Sequence, residues 1–117
     1  MRRGARTPEE LETLLEDAFV IRDQEALPQL FEDGALLLAG DDPGEARGGE
    51  ALERLAAAMW EGNHTYLAGA RRVLQARDTA LVLSKGSTNV VRRGSDGDWR
   101  YAIAVLALEQ TTTKEER

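Results

Sequence analysis

The chain has 117 residues, of which 42% are hydrophobic and 31% charged, and its formal net charge is −6. These values are typical of one globular domain and disfavour general binding to nucleic-acid phosphates. The sequence has no cysteine and one histidine, His64. It therefore excludes a disulfide scaffold and a thiolate metal site, and it argues against a cluster of histidine ligands. No run reaches the roughly 18 apolar residues of a membrane span.

A first helix is predicted from Thr7 onwards, because Thr7 can cap it, Pro8 suits its first position and Glu10 completes a capping box. Apolar residues then recur at helical spacing, at Leu11, Leu14, Leu15, Ala18 and Phe19. The acidic residues of the same segment are expected off this apolar stripe, at Glu9, Glu12, Glu16 and Asp17.

The next segments predict a mixture of short elements. Asp23 is a cap for a second helix over 24–31, which Pro28 should distort or shorten. Strands are predicted over 35–39 and, at a sheet edge, over 45–47. A third helix is predicted over 50–60, with an apolar stripe at Ala51, Leu52, Leu55, Ala58 and Met59.

The second half of the chain predicts strands joined by hairpins, over 65–75, 79–84, 87–93 and 99–108. Period-two alternation places Ser87, Asn89 and Val91 on one face of the third of these strands. A buried amide such as that of Asn89 either faces a pocket or satisfies a buried backbone group, and the sequence leaves both readings open.

The last strand is apolar on both faces. Strict alternation puts Trp99, Tyr101, Ile103 and Val105 on one face and Ala102, Ala104 and Leu106 on the other. Helices can cover one of these faces, so a second subunit is expected to cover the other. The order of elements predicts an α+β fold in one domain, 1–117, with flexible tails at 1–6 and 109–117.

Three stretches carry a resemblance to a known family: Arg22–Leu27 with the following Leu30–Ala35, Arg47–Leu52, and Asn89–Tyr101. In this layout the chain resembles the nuclear transport factor 2-like superfamily, which also holds ketosteroid isomerases and SnoaL-like cyclases. The resemblance implies a cystatin-like cone, in which a bent, mixed but mainly antiparallel sheet wraps around about three N-terminal helices. It also implies a pocket at the wide end and, in many members, a sheet-to-sheet homodimer.

The resemblance also implies which residues would form a site. The positions of the isomerase base and tyrosine fall on Ala39 and Leu15, so steroid isomerase chemistry by that route is not expected. The position of the oxyanion-hole acid falls on Asn89, whose amide can still donate a hydrogen bond. The expected pocket lining is Leu15, Phe19, Leu37, Met59, Trp60, Tyr66, Ser87, Asn89, Val91, Ala102, Ala104 and Leu106.

His64 and Asn89 are the candidate catalytic residues, because His64 is the one side chain whose ordinary pKa lies near neutrality. For His64 itself, a partly exposed loop position is the favoured interpretation, ahead of a general base at the mouth of a pocket. The predicted function is binding of a small, mostly apolar molecule, with acid–base isomerisation, cyclisation or dehydration as the chemistry. The alternative is a non-catalytic carrier or a dimeric interaction module. No cofactor, metal, nucleic acid or membrane partner is expected, and a cytoplasmic location is expected.

Overall fold

The computed structural model describes residues 4–39, 44–61, 64–65, 71–84, 87–106 and 109–110. Its helices are α1 (Pro8–Ile21), α2 (Ala26–Gln29) and α3 (Gly49–Glu61). Its strands are β1 (Phe31–Ala39), β2 (Gly44–Arg47), β3 (His64–Thr65), β4 (Arg71–Ala76), β5 (Thr79–Ser84), β6 (Ser87–Arg93), β7 (Trp99–Leu106) and β8 (Glu109–Gln110).

Six strands form one mixed sheet in the order β2-β1-β7-β6-β5-β4. Strands β1 and β7 pair in parallel, and the other neighbours pair antiparallel. The short strands β3 and β8 pair with each other in a separate ribbon. The predicted α+β class is therefore confirmed, with β2 at one edge of the sheet as expected. Among the described residues, no helix is long and apolar enough to cross a membrane.

The N-terminal ends of α1 and α2 are set by local hydrogen bonds. The Thr7 hydroxyl accepts a hydrogen bond from the Glu10 backbone N–H at 3.0 Å, as predicted. The Glu10 carboxylate accepts from the Arg6 N–H at 2.7 Å, one residue earlier than in the predicted capping box. Asp23 accepts from the Ala26 N–H at 3.0 Å and starts α2. That helix ends at Gln29, so the prediction of a helix reaching Phe31 was wrong.

Both of the segments predicted as tails make contacts where the structure describes them. Ala5 is buried, and its carbonyl accepts a hydrogen bond from the Trp99 N–H at 2.8 Å. Arg6 forms an ion pair with Asp98 at 2.9 Å. At the other end, Glu109–Gln110 pairs with β3. Short-range sequence patterns carry no information on such long-range pairings, so a polar terminal segment is interpreted as a flexible one.

Two further predictions need correction or fall outside the described residues. Ala58 is exposed, whereas Ala56 and Trp60 are buried, so the apolar stripe of α3 is rotated from the predicted one.

Within the predicted strand 65–75, the described strand β4 begins at Arg71. Residues 66–70, including Tyr66, and the predicted turn at 85–86 lie outside the described residues.

A β-bulge at Ala102 decides which side chains of β7 face the helices. Val90 pairs with Ile103, but the next residue, Val91, pairs with Tyr101, so Ala102 is an extra residue on β7. A bulge reverses the alternation beyond it. Trp99 and Tyr101 are consequently buried on the same side as Ala104 and Leu106. The prediction that placed Trp99 and Tyr101 opposite Ala104 was wrong, and Ala102 does not share the face of Ala104.

The sheet thus has an inner face toward α1 and α3 and an outer face away from them. Across neighbouring strands the inner face carries the row Leu37, Ala104, Asn89, Val82 and Val73. The adjacent row on the outer face is Leu36, Ile103, Val90, Leu81 and Leu74. The core lies between the inner face and the helices, where α1 contributes Leu11, Leu15, Ala18 and Phe19.

Deletion of Ala102 tests the bulge, because Tyr101 would then directly precede Ile103 and strict alternation would keep Trp99 and Tyr101 on the inner face. We expect this variant to keep a cooperative thermal transition when unfolding is followed by circular dichroism. Deletion of Arg100 leaves the bulge in place but turns Trp99 to the outer face, and loss of a large buried aromatic side chain costs roughly 3–5 kcal/mol. Its transition should lie far below that of the Ala102 deletion. An Ala102 deletion that is no more stable than the Arg100 deletion would show that Ala102 is not the extra residue of β7.

Candidate functional site

A carboxylate lies buried in the core between α1 and the sheet. Glu12 is only 1% exposed. Its position explains this, because it follows Pro8 by four residues and precedes Leu15 by three, and both of those residues are buried on α1. The sequence reading placed Glu12 off the apolar stripe and therefore missed it. The spacing from Pro8 to Glu12, Leu15 and Phe19 was the signal available for finding it.

Two side chains from the sheet donate hydrogen bonds to the same oxygen of Glu12. The Tyr101 hydroxyl donates to Oε2 at 2.5 Å, and Asn89 Nδ2 donates to Oε2 at 3.0 Å. Asn89 and Tyr101 are both fully buried. Hydrogen bonds to a charged acceptor are roughly twice as strong as neutral ones. We call Glu12, Asn89 and Tyr101 the buried triad; it joins α1 to β6 and β7.

Asn89 lies on the inner face, as its alternation with Ser87 and Val91 predicts. Its Oδ1 accepts a hydrogen bond from the Val105 backbone N–H at 3.1 Å, while its Nδ2 holds Glu12. The amide therefore satisfies a backbone donor, which was one of the two readings left open by the sequence. Its assignment as a binding or catalytic residue stays a prediction.

Tyr101 was not among the predicted site residues, because strict alternation had put it on the other face. The bulge at Ala102 turns it inward. Its ring packs against that of Phe31 with centroids 5.1 Å apart, and its backbone N–H donates to the Leu30 carbonyl at 2.8 Å. The packing of the ring and this backbone hydrogen bond together hold the Tyr101 hydroxyl at Glu12.

A second polar pair lies further along β6. The hydroxyls of Ser84 and Ser87 are 2.5 Å apart, and Ser87 is buried. Ser87 stands two residues before Asn89 on the same face of β6, opposite Leu106. The inner face of β6 therefore carries polar groups at two successive inward positions, and the sequence predicted both of them.

Most of the residues predicted to line an apolar pocket lie together in the core. Its buried members are Leu15, Phe19, Leu37, Met59, Trp60, Val91, Ala104 and Leu106. The ring of Trp60 meets that of Phe19 edge-on, with centroids 6.0 Å apart. Trp60 Nε1 is buried and has no hydrogen-bond partner in the described part of the chain. It is an exception to the rule that buried donors are paired.

Three other predicted site positions are His64, Tyr66 and Ala102. The backbone of His64 pairs with Gln110, and its side chain lies outside the described residues, as does all of Tyr66. Ala102 occupies the bulge. Within the described ranges, no cluster of three or more His, Asp or Glu side chains is arranged to hold a metal ion.

A separate surface groove of about 420 Å³ lies beside α2 and the 94–98 turn. Among its charged residues, Glu32 forms an ion pair with Arg92, Arg100 with Asp96, and Asp98 with Arg6. The hydrogen bond from Arg100 holds the pKa of the Asp96 carboxyl well below its usual range. The Arg100–Asp96 pair links β7 to the turn that precedes it.

Comparisons with solved structures show the fold. A protein of unknown function with a cystatin-like fold from Nostoc punctiforme has a TM-score of 0.72 at 17% identity, covering 88% of this chain and 89% of that chain. A ketosteroid isomerase-like protein from Erwinia carotovora has a TM-score of 0.70 at 19% identity, covering 86% and 92%.

A third structure widens the range of functions found on this fold. A protein from Thiobacillus denitrificans, assigned as a calcium/calmodulin-dependent protein kinase type II association domain, has a TM-score of 0.71 at 18% identity, covering 93% of this chain and 100% of that chain. No protein-family model and no curated protein sequence matches this chain. The chain has the nuclear transport factor 2-like, cystatin-like fold, as its sequence predicted, and the fold alone does not fix a function.

Replacing Asn89 should test how far the buried triad supports the fold. Asn89→Leu leaves the Val105 N–H without its acceptor and removes one donor from Glu12. We expect a loss of about 1–3 kcal/mol in the free energy of unfolding, measured by urea denaturation. The double variant Glu12→Met with Asn89→Leu should recover part of this loss, because the buried carboxylate is then gone. An Asn89→Leu variant as stable as the parent would contradict this account of the triad.

Proposed function

We propose that this chain, with its nuclear transport factor 2-like fold, binds a small, mostly apolar molecule between α1, α3 and the inner face of the sheet. Glu12 acts there as the acid–base group. The buried triad supports this proposal most strongly. A carboxylate that is 1% exposed lies in a core that is otherwise lined by leucine, alanine and aromatic side chains.

The fold itself gives no reason for a carboxylate at this position. Apolar residues of similar volume often stabilise a core as well as, or better than, a buried charged group with its partners. Buried titratable groups with specific partners are, in contrast, common at functional sites. The triad therefore supports chemistry at Glu12 more than it supports a purely structural role.

The arrangement suits proton transfer to and from carbon. In the proposed step, the Glu12 carboxylate takes a proton from the carbon next to a ligand carbonyl, the C–H electron pair moves into an enolate, and the same carboxyl then returns a proton. The donors Tyr101 and Asn89 orient the carboxylate and hold its charge on Oε2. Isomerisation, cyclisation and dehydration can all proceed through such a step.

Access is proposed from the Ser87 end of the inner face. The small exposed fractions that remain in this region are those of Ser87, Met59 and Trp60, at 7%, 6% and 6%, whereas Asn89 is at 0%. Strand β3 packs against α1 and α3. His64 begins β3, so we retain it as a second proton carrier in the proposal.

The proposal is tested with β-tetralone, an apolar ketone with acidic protons next to its carbonyl. The protein should accelerate exchange of these protons in deuterium oxide, followed by proton NMR of the ketone. Glu12→Gln should lower this acceleration about 100-fold, which is typical for loss of one acid–base group. Glu9→Gln, the same change on the exposed face of α1, should leave the rate unchanged. Equal rates for the two variants would contradict the role of Glu12.

The outer face of the sheet favours a second function, assembly into a homodimer. Ile103, Val105 and Leu74 are exposed by 40%, 38% and 43%. Ile103 and Leu74 lie in one apolar row that runs across five strands. Such a patch is unusual on a monomer and typical of an interface. A second copy of the chain is the proposed partner, and the likeness to an association domain supports an interaction role for this fold.

Light scattering coupled to size exclusion tests the dimer. The parent should elute with the mass of two chains at micromolar concentration, and Ile103→Asp should elute as a monomer because it places a charge in the interface. Ile21→Asp is the matched control, since Ile21 is 69% exposed at the end of α1. It should remain dimeric. A monomeric parent, or a dimeric Ile103→Asp variant, would contradict the proposed interface.

A further inference from the structure

The charges at the two ends of the outer face indicate how two copies of the chain meet. We infer that the copies pack outer face to outer face about a two-fold axis parallel to the strands, and that Glu45 of each copy forms an ion pair with the partner's Arg72. This inference rests on the proposed homodimer. It adds the orientation of the two copies and the residues that select it.

The first observation is a complete row of outward side chains next to the row that contains Ile103. The backbone pairings carry this row across all six strands, from β2 at one edge to β4 at the other: Glu45, Leu38, Val105, Thr88, Leu83 and Arg72. The ends of the row are a carboxylate and a guanidinium, and its middle is mostly apolar. The two charged ends lie about 24 Å apart, from five strand spacings of about 4.8 Å.

The second observation is that these two charges are unpaired. Glu45 and Arg72 are exposed, and neither forms an ion pair within the described ranges. The outer-face neighbours of Arg72 are Leu83 on β5 and Leu74 two residues along β4, so they give its guanidinium no counter-charge. A second copy that covers this face removes water from around the cation. That is unfavourable unless a carboxylate meets it.

The symmetry of a homodimer decides what lies over Arg72. Two identical faces pack through a two-fold axis that lies in the plane between them. An axis parallel to the strands places β2 of one copy over β4 of the other, so that Glu45 lies over the partner's Arg72. An axis across the strands keeps each strand over its own copy and places Arg72 over the partner's Leu74. Among the described residues, only the first arrangement brings a carboxylate over Arg72.

The remaining side chains of the outer face fit the same arrangement. Arg47 lies two residues from Glu45 on the same face of β2, so it has a carboxylate nearby whichever axis is used. In the centre, Ile103 lies over the partner's Val90, which buries apolar area on both copies. The long side chains of glutamate and arginine together span the roughly 10 Å between packed sheets.

Charge reversal tests the pairing, with sedimentation velocity at low ionic strength measuring the Kd of the dimer. Glu45→Arg and Arg72→Glu should each self-associate about tenfold more weakly than the parent, because each places like charges together at two symmetry-related positions. An equal mixture of the two variants should dimerise with nearly the affinity of the parent, since their charges are complementary. High salt should reduce all these differences.

Matched controls make the same charge changes on another surface. Glu53→Arg and Arg54→Glu alter exposed residues of α3, which lies on the inner side of the sheet. Each of these variants should self-associate like the parent. A weakening equal to that of the Glu45 and Arg72 variants would show that net charge, and not the proposed ion pair, controls association.

Cysteine cross-linking determines the orientation directly, because the chain has no cysteine of its own. With a short bismaleimide, a mixture of Glu45→Cys and Arg72→Cys should form a covalent dimer. Neither variant alone should do so, since its two cysteines lie at opposite edges of the dimer. Covalent dimers from Glu45→Cys alone would show an axis across the strands and contradict the inference.

The outcomes distinguish this inference from the proposed homodimer. A monomeric parent contradicts both. If the parent is dimeric and Ile103→Asp is monomeric, but the charge reversals leave the Kd unchanged, the inference alone is contradicted. It is also contradicted if the mixed variants associate no more tightly than each variant does by itself.

Discussion

The hydrogen bonds of Tyr101 and Asn89 to one oxygen of Glu12 are the interaction on which this structure depends most. They connect the first helix to two central strands and place a carboxylate where the surroundings are apolar. The bulge at Ala102 accommodates one extra residue of β7, so that Tyr101 and Ala104 both face the helices. The bulge thus keeps both the aromatic side chains of β7 and the polar centre of the candidate site on the inner face.

Much of the fold was predictable because its signals are local. Thr7 and Asp23 cap helices through hydrogen bonds within three residues, and the alternation in β6 gave the correct inner residues, including Asn89. The end of α2 at Gln29 and the pairing of Ala5 with Trp99 were not predictable in this way. They depend on contacts between segments far apart in sequence, which a local pattern does not contain.

The candidate site was only half predictable. Asn89, Ser87 and most of the apolar lining followed from alternation and from the family resemblance, while Glu12 and Tyr101 did not. Glu12 lies in an acidic helix where neighbouring carboxylates are exposed, so its residue type argued against burial. Tyr101 depended on a bulge that leaves no clear mark in an alternating apolar strand. Both errors arose where a local rule is broken, as is common at functional sites.

The central claim is that a small molecule binds on the inner face beside Glu12. Chemical-shift mapping on isotope-labelled protein tests it directly, with β-tetralone as the titrant. The account predicts the largest shifts at the side-chain amide of Asn89 and at Leu37 and Ala104, which neighbour it on the inner face. Shifts confined to Ile103 and Leu74 on the outer face, with Asn89 unchanged, would contradict it.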